Sequence, residues 1–142
     1  MVAPSPADGA AMSKAPDTVG EIMTTGVVTV GPEELVRDAV RAMVDNEIGS
    51  IVVADGDEAL GVFTERDLSR HVLDDGGVLD RPVGEVMSRP PVTAAPGDEI
   101  VFVFDLMSGK GIRRLPVVDD GRLVGIVTER DLLRWVGEVA AE

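Results

Sequence analysis

The chain has 142 residues, 44% of them apolar and only 3% aromatic, with a formal net charge of −13 and no cysteine. This suffices for one ordinary domain, or two very small ones sharing a core of Val, Ile, Leu, Met and Ala. It excludes disulfides, thiolate metal sites and cysteine nucleophiles, opposes a nucleic-acid backbone as partner, and offers no run of 18 apolar residues to span a membrane.

Residues 1–16 are rich in Ala, Pro, Ser and Gly and lack an apolar stretch, so they read as a flexible tail and not as a signal peptide. The absence of cysteine fits a cytoplasmic protein. Val19-Gly20-Glu21-Ile22-Met23 opens the ordered chain, and Val27 to Val30 form a short extended piece running into Pro32. Val36, Ala39, Val40, Met43 and Val44 follow helical spacing, with Gly49 after them. Two short apolar runs, Ile51 to Ala54 and Leu60 to Phe63, flank the turn-like Asp55-Gly56-Asp57. A final helix is expected after Thr64, and Asp74 to Arg81 form a connector.

The same order then returns 64 positions later without an insertion. Val83-Gly84-Glu85-Val86-Met87 repeats the opening, and Val92-Thr93 repeats Val28-Thr29. Ile100, Val103, Phe104 and Met107 repeat the helical stripe, ended by Gly109 and Gly111. Leu115 to Val118 and Leu123 to Val127 flank Asp119-Asp120-Gly121, and Gly125 to Leu132 repeats Gly61 to Leu68. The predicted fold is therefore α/β (α+β), two β-α-β-β-α repeats over 17–80 and 81–142, packed as a pseudo-twofold pair because one half could barely bury its own apolar faces.

Gly61-x-x-Thr64-x-x-Asp67 and Gly125-x-x-Thr128-x-x-Asp131 fall where a strand turns into a helix. That junction presents backbone N–H groups and a positive dipole end to an anion. Thr adds a hydroxyl, Gly lets backbone come close to a ligand, and a carboxylate can accept the hydroxyls of a ribose. The same spacing is also a capping box, in which Thr and an acidic residue three positions later satisfy each other's backbone N–H. Both roles can fall on one residue.

These repeated motifs resemble a tandem pair of CBS (cystathionine-β-synthase) domains, a Bateman module. The residues carrying the likeness are Val19 to Met23, Val28-Thr29, Ile48 to Val53 and Gly61 to Leu68, with their copies Val83 to Met87, Val92-Thr93, Ile112 to Asp119 and Gly125 to Leu132. The resemblance implies clefts between the repeats that bind AMP, ADP, ATP or a related adenosyl ligand. It implies Thr64 and Thr128 at phosphate, Asp67 and Asp131 at ribose, and Val28 and Val92 at the adenine. It also implies a homodimer and a regulatory role exerted on a separate effector protein, with no cofactor required.

The two halves differ before the middle strand. The second has Ile112-Arg113-Arg114-Leu115 where the first has Ile48-Gly49-Ser50-Ile51. Arg113 and Arg114, with Lys110 nearby, form the basic cluster an acidic chain needs for an anionic ligand. The expectation is that Arg114 serves the cleft of Thr128 and Asp131, making it the stronger site; the plainer reading has these side chains solvating a strand entry.

Arg66, Arg130, Glu65 and Glu129 read as solvated charges at helix starts, and lone His71 as a surface residue. Trp135 reads as core or, by preference, dimer interface, and the paired methionines as core. No nucleophile–base pair, metal-ligand cluster or Walker lysine motif is present, so catalysis is not expected. The competing reading is a module of the same fold that dimerises without nucleotide.

Overall fold

The computed structural model describes residues 16–141. Of the expected N-terminal tail, all but Pro16 lies outside the described residues. The chain runs α1 (Val19–Ile22), β1 (Thr29–Val30), α2 (Val36–Asn46), β2 (Ser50–Asp55), β3 (Glu58–Thr64), α3 (Glu65–Val72), then α4 (Ile100–Lys110), β4 (Arg114–Asp119), β5 (Arg122–Thr128) and α5 (Glu129–Ala140). Two single 3₁₀ turns, Val78–Asp80 and Val83–Glu85, sit between α3 and α4.

The helix stripes bury as helical spacing demands. Val36, Ala39 and Met43 of α2, and Ile100, Val103 and Met107 of α4, are all buried. Val44 and Phe104, expected on the same stripes, face outward instead. Each helix ends on a left-handed residue at the equivalent place, Glu47 (φ 56) and Gly111 (φ 66). Gly49 follows α2 as expected and Gly111 ends α4, whereas Gly109, also expected at that end, lies within α4. Glycine adopts the left-handed region at no steric cost, whereas Glu47 does so under strain.

Antiparallel β2–β3 pairs Ile51 with Phe63 and Val53 with Gly61, and β4–β5 pairs Leu115 with Val127 and Val117 with Gly125. In the first repeat β1 adds a parallel strand through Thr29–Val52 and Val30–Val53. The predicted counterpart, Val92 to Ala94, contracts to a single bridge, Ala94–Val117. The reason is Pro116, which stands where the first repeat has Val52. Proline has no N–H, so the pair equivalent to Thr29–Val52 cannot form.

The cores are not made from the sequence halves alone. Val19 of α1 is fully buried in the second core, among Ile100, Val103, Leu115 and Val117. Val83 and Val86 are buried in the first core, with Val36, Ala39, Ile51 and Phe63. Backbone bonds hold each opening segment on the other repeat: Gly20 N–H donates to the Pro96 carbonyl (2.8 Å), and Gly84 N–H to that of Pro32 (2.9 Å). Thr24 and Ile126 exchange N–H···O bonds at 2.8 Å, as Ser88 and Val62 do at 2.9 and 3.0 Å. A third cluster of Val52, Ala54 and Ile126 joins the repeats directly.

This exchange assigns Gly61 and Gly125 a role the sequence did not indicate. A Cβ on Gly61 would lie 2.6 Å from the Ser88 carbonyl oxygen and 2.7 Å from the Met87 sulfur. One on Gly125 would lie 2.5 Å from the Met23 sulfur and 3.0 Å from the Thr24 oxygen. These glycines admit the other repeat's opening segment, where a close approach to ligand had been expected. Trp135 packs on the second core and donates its indole N–H to the Pro16 carbonyl at 2.7 Å, which agrees with the core reading of this residue. No helix among the described residues is long and apolar enough to cross a membrane.

Gly61→Ala and Gly125→Ala are each expected to destabilise the protein by about 1–3 kcal/mol, because a backbone oxygen cannot give way as a side chain can. Gly97→Ala, which meets nothing within 4 Å, is expected to change stability far less. Urea unfolding of the three variants measures the difference.

Candidate functional site

Thr64 and Thr128 are the N-caps of α3 and α5, and each closes a capping box with the aspartate three positions on. Asp67 N–H donates to Thr64 Oγ1 at 3.0 Å, and Thr64 N–H donates to Asp67 Oδ2 at 3.0 Å. In the second copy the corresponding distances are 3.3 Å and 2.9 Å. The cap reading is thus realised in both repeats. Two leading N–H groups of α3 are already engaged, that of Asp67 by the cap and that of Glu65 by the Gly49 carbonyl (3.0 Å). The helix start therefore presents fewer open donors to an anion than the sequence implied.

Both carboxylates are 3% exposed. A buried carboxylate needs donors, and each receives one from the opposite repeat. Ser88 Oγ donates to Asp67 Oδ1 at 2.7 Å, and Thr24 Oγ1 lies 3.4 Å from both oxygens of Asp131. Arg70 and Arg134 approach the same carboxylates at 3.9 and 3.5 Å. Sequence reasoning missed Ser88 and Thr24. They directly follow the repeated Met and are themselves 64 positions apart, so extending the repeat by one residue would have found them.

A cavity of about 620 Å³ opens beside Thr64 and Asp67. Its opposite wall comes from the second repeat: Val92, Lys110, Arg113, Arg114 and Pro116. Arg66 and Arg70 of α3 complete a basic rim, with Glu65 and Asp67 the acids present. The expectation that Arg114 stands with Thr128 and Asp131 is corrected in part. Arg114 pairs with Thr128 across β4–β5, yet it lines the cavity of Thr64 and Asp67, because that cavity lies between the repeats and takes one wall from each. Thr128 and Asp131 are not part of its lining, and Val28 is half-buried against the first core. Val92, Thr64, Asp67, Arg113 and Arg114 are brought together.

Burial pushes the Arg114 guanidinium below its ordinary pKa, opposed by the negative charge of Asp131. The group stays protonated. Its Nε–H is buried and has no hydrogen-bond acceptor among the described residues. A buried charged donor without an acceptor is costly, and a phosphate or carboxylate oxygen is the partner its planar fork matches. No group of three or more His, Cys, Asp or Glu among the described residues is placed to hold a metal.

Comparison with known proteins agrees with this architecture. The family model for the CBS domain matches twice, over residues 19–74 and 83–138. The uncharacterized protein MK0525 of Methanopyrus kandleri is 40% identical over 120 residues, which is 82% of this chain and 61% of that protein, so the chain spans under two thirds of this relative. The structure of CBSX2 from Arabidopsis thaliana in complex with AMP superposes with a TM-score of 0.79 at 27% identity, covering 88% of this chain and 99% of that one. The CBS domain pair of protein MJ0100, in complex with 5′-methylthioadenosine and S-adenosyl-L-methionine, gives 0.74 at 26% identity, covering 89% and 99%. Two matched copies, exchanged opening segments and a cavity between repeats identify the chain as a member of the CBS-domain family, built as a tandem CBS pair.

Proposed function

We propose that this chain is a regulatory module that binds an adenine nucleotide in the cavity between its repeats and signals to a separate protein. The single observation that carries this reading is that Arg114, whose buried Nε–H has no acceptor among the described residues, lines the cavity that also holds Thr64 and Asp67. An anionic ligand in that cavity would give the guanidinium a charge partner. The AMP complex of CBSX2 and the adenosyl complexes of the MJ0100 pair support the ligand class. Val92, at the cavity edge and partly exposed, is suited to an adenine face. Thr128, Asp131 and Val28 belong to the equivalent second cleft in this proposal. Ligand contact with both repeats would act by shifting their relative arrangement.

The competing reading, an interaction module without nucleotide, is favoured by one specific observation: both Thr–Asp pairs are fully employed as caps. Adding ligand separates the two. At a hundredfold excess over Kd, AMP or ATP is expected to stabilise the protein by about 2.7 kcal/mol, raising the melting temperature by roughly 5–10 °C. No shift with either leaves the interaction module as the answer. Arg114→Ala is expected to weaken nucleotide binding tenfold or more, while unliganded stability stays within about 1 kcal/mol because Nε–H holds no partner to lose. Calorimetric titration and urea unfolding measure the two quantities.

The proposal includes pairing of two copies. Val101, Phe102 and Leu133 are 65%, 60% and 69% exposed. The equivalent positions of the first repeat carry Arg37, Asp38 and Ser69, so the fold does not require apolar residues there. Sedimentation of the native chain is expected to give the mass of two chains, and Phe102→Asp that of one.

A further inference from the structure

The cavity beside Thr64 carries more positive charge than a nucleoside monophosphate needs. Arg66, Arg70, Lys110, Arg113 and Arg114 line it, against Glu65 and Asp67. Five of the chain's 13 Lys and Arg residues thus meet at one place in a chain of net charge −13. Among the described residues Arg70 has only the Asp67 carboxylate, at 3.9 Å, and Arg66, Lys110 and Arg113 make no ion pair. Asp67 keeps its negative charge while it accepts from the Thr64 N–H and the Ser88 hydroxyl, and five cations against the two carboxylates still leave the lining net positive. Elsewhere Arg37, Arg41, Arg81 and Arg134 are paired, while Arg89, Arg122 and Arg130 make no ion pair among the described residues; what marks the cavity is that five cations converge on it.

The repeats supply an internal comparison. Lys110, Arg113 and Arg114 stand where the first repeat has Asn46, Gly49 and Ser50, and both repeats build the same helix end and strand start. The fold therefore does not demand these three cations. The helix start is a reduced anchor for phosphate, because the N–H groups of Glu65 and Asp67 are engaged.

Building on the nucleotide reading, we propose that this cavity is selective for the polyphosphate chain of a nucleoside di- or triphosphate over a monophosphate, and discriminates against neutral or cationic adenosyl compounds. The guanidinium of Arg114 grips the phosphate nearest the cavity floor. Arg113 and Lys110, both exposed at its edge, reach the outer phosphates. Each added phosphate brings further charge-assisted hydrogen bonds and meets a net positive wall.

Calorimetric titration of the full chain with adenosine, AMP, ADP, ATP and S-adenosylmethionine, in EDTA so that no cation masks the phosphates, tests this. Affinity is expected to climb roughly tenfold per phosphate from AMP to ATP, with adenosine and S-adenosylmethionine weakest. The Lys110→Ala/Arg113→Ala double variant is expected to lose about tenfold or more for ATP and under about threefold for AMP. Gln at both positions serves as the alternative should the Ala variant unfold. Equal affinity for AMP and ATP, tighter binding of S-adenosylmethionine, or an unchanged ATP-to-AMP ratio in the variant overturns the selectivity and leaves the nucleotide module standing. Absence of binding by all five compounds overturns the module as well.

Discussion

Removing a carboxylate from water demands donors in return, and Asp67 meets that demand from two directions. One oxygen takes the Thr64 N–H at the start of α3, and the other takes the Ser88 hydroxyl from the opening segment of the second repeat. The same carboxylate edges the cavity between the repeats. Helix cap, exchanged segment and candidate site therefore share one buried group. Asp131 repeats the arrangement with Thr128 and Thr24, at longer range for the hydroxyl. A polar network of this kind holds when every member is satisfied. It also means that any ribose hydroxyl approaching Asp67 Oδ1 competes with Ser88, so events in the cleft bear on both repeats.

The exchange explains why the chain needs both copies. Without Val83 and Val86 the first core lacks one of its walls, and without Val19 so does the second. The segments stay seated because the strand they cross has no side chain at the crossing point, Gly61 in β3 and Gly125 in β5. Met87 and Met23 fill the adjoining space, which suits an unbranched, adaptable side chain. Thus the glycine, the methionine and the aspartate of the repeated motif serve one contact between repeats. That contact alone would preserve the motif in a module with no ligand.

Much of this was legible in the residues, with a physical limit on the rest. The constant spacing of 64 reveals the duplication, and helical periodicity places the buried faces of α2 and α4. The Thr-x-x-Asp spacing marks both caps. A repeat in register, however, records which positions are equivalent and not which copy they pack against. The destination of Val19 and Val83 was therefore invisible, and so was the company kept by Arg114. Sequence neighbours pointed Arg114 to Thr128, which it does face across β4–β5, but a cavity between repeats draws one wall from each. Pro116 could have warned that the strand at Val92 would shorten, since a residue without an N–H cannot close a parallel ladder. The outward turn of Phe104 and Val44 was not legible, because a short helix packed on a narrow sheet buries fewer rows than its apolar pattern offers.

The duplication also separates what the fold requires from what it merely permits. Wherever the two copies agree in structure, a residue found in only one of them is not needed for that structure. Glu47 and Gly111 close equivalent helices in the same left-handed conformation, so the glycine is a convenience. Arg37 and Val101 sit at equivalent positions, one paired with Asp80 and the other exposed, so the fold does not require the apolar surface of α4. Arg114 and Ser50 begin equivalent strands, yet the arginine alone of the two carries a buried donor without an acceptor among the described residues. A fold that accepts serine at that position does not impose the cost of burying a guanidinium N–H. In the proposed function an anion offsets that cost, and the chemistry would then lie in the differences between the copies, as the architecture lies in their likeness.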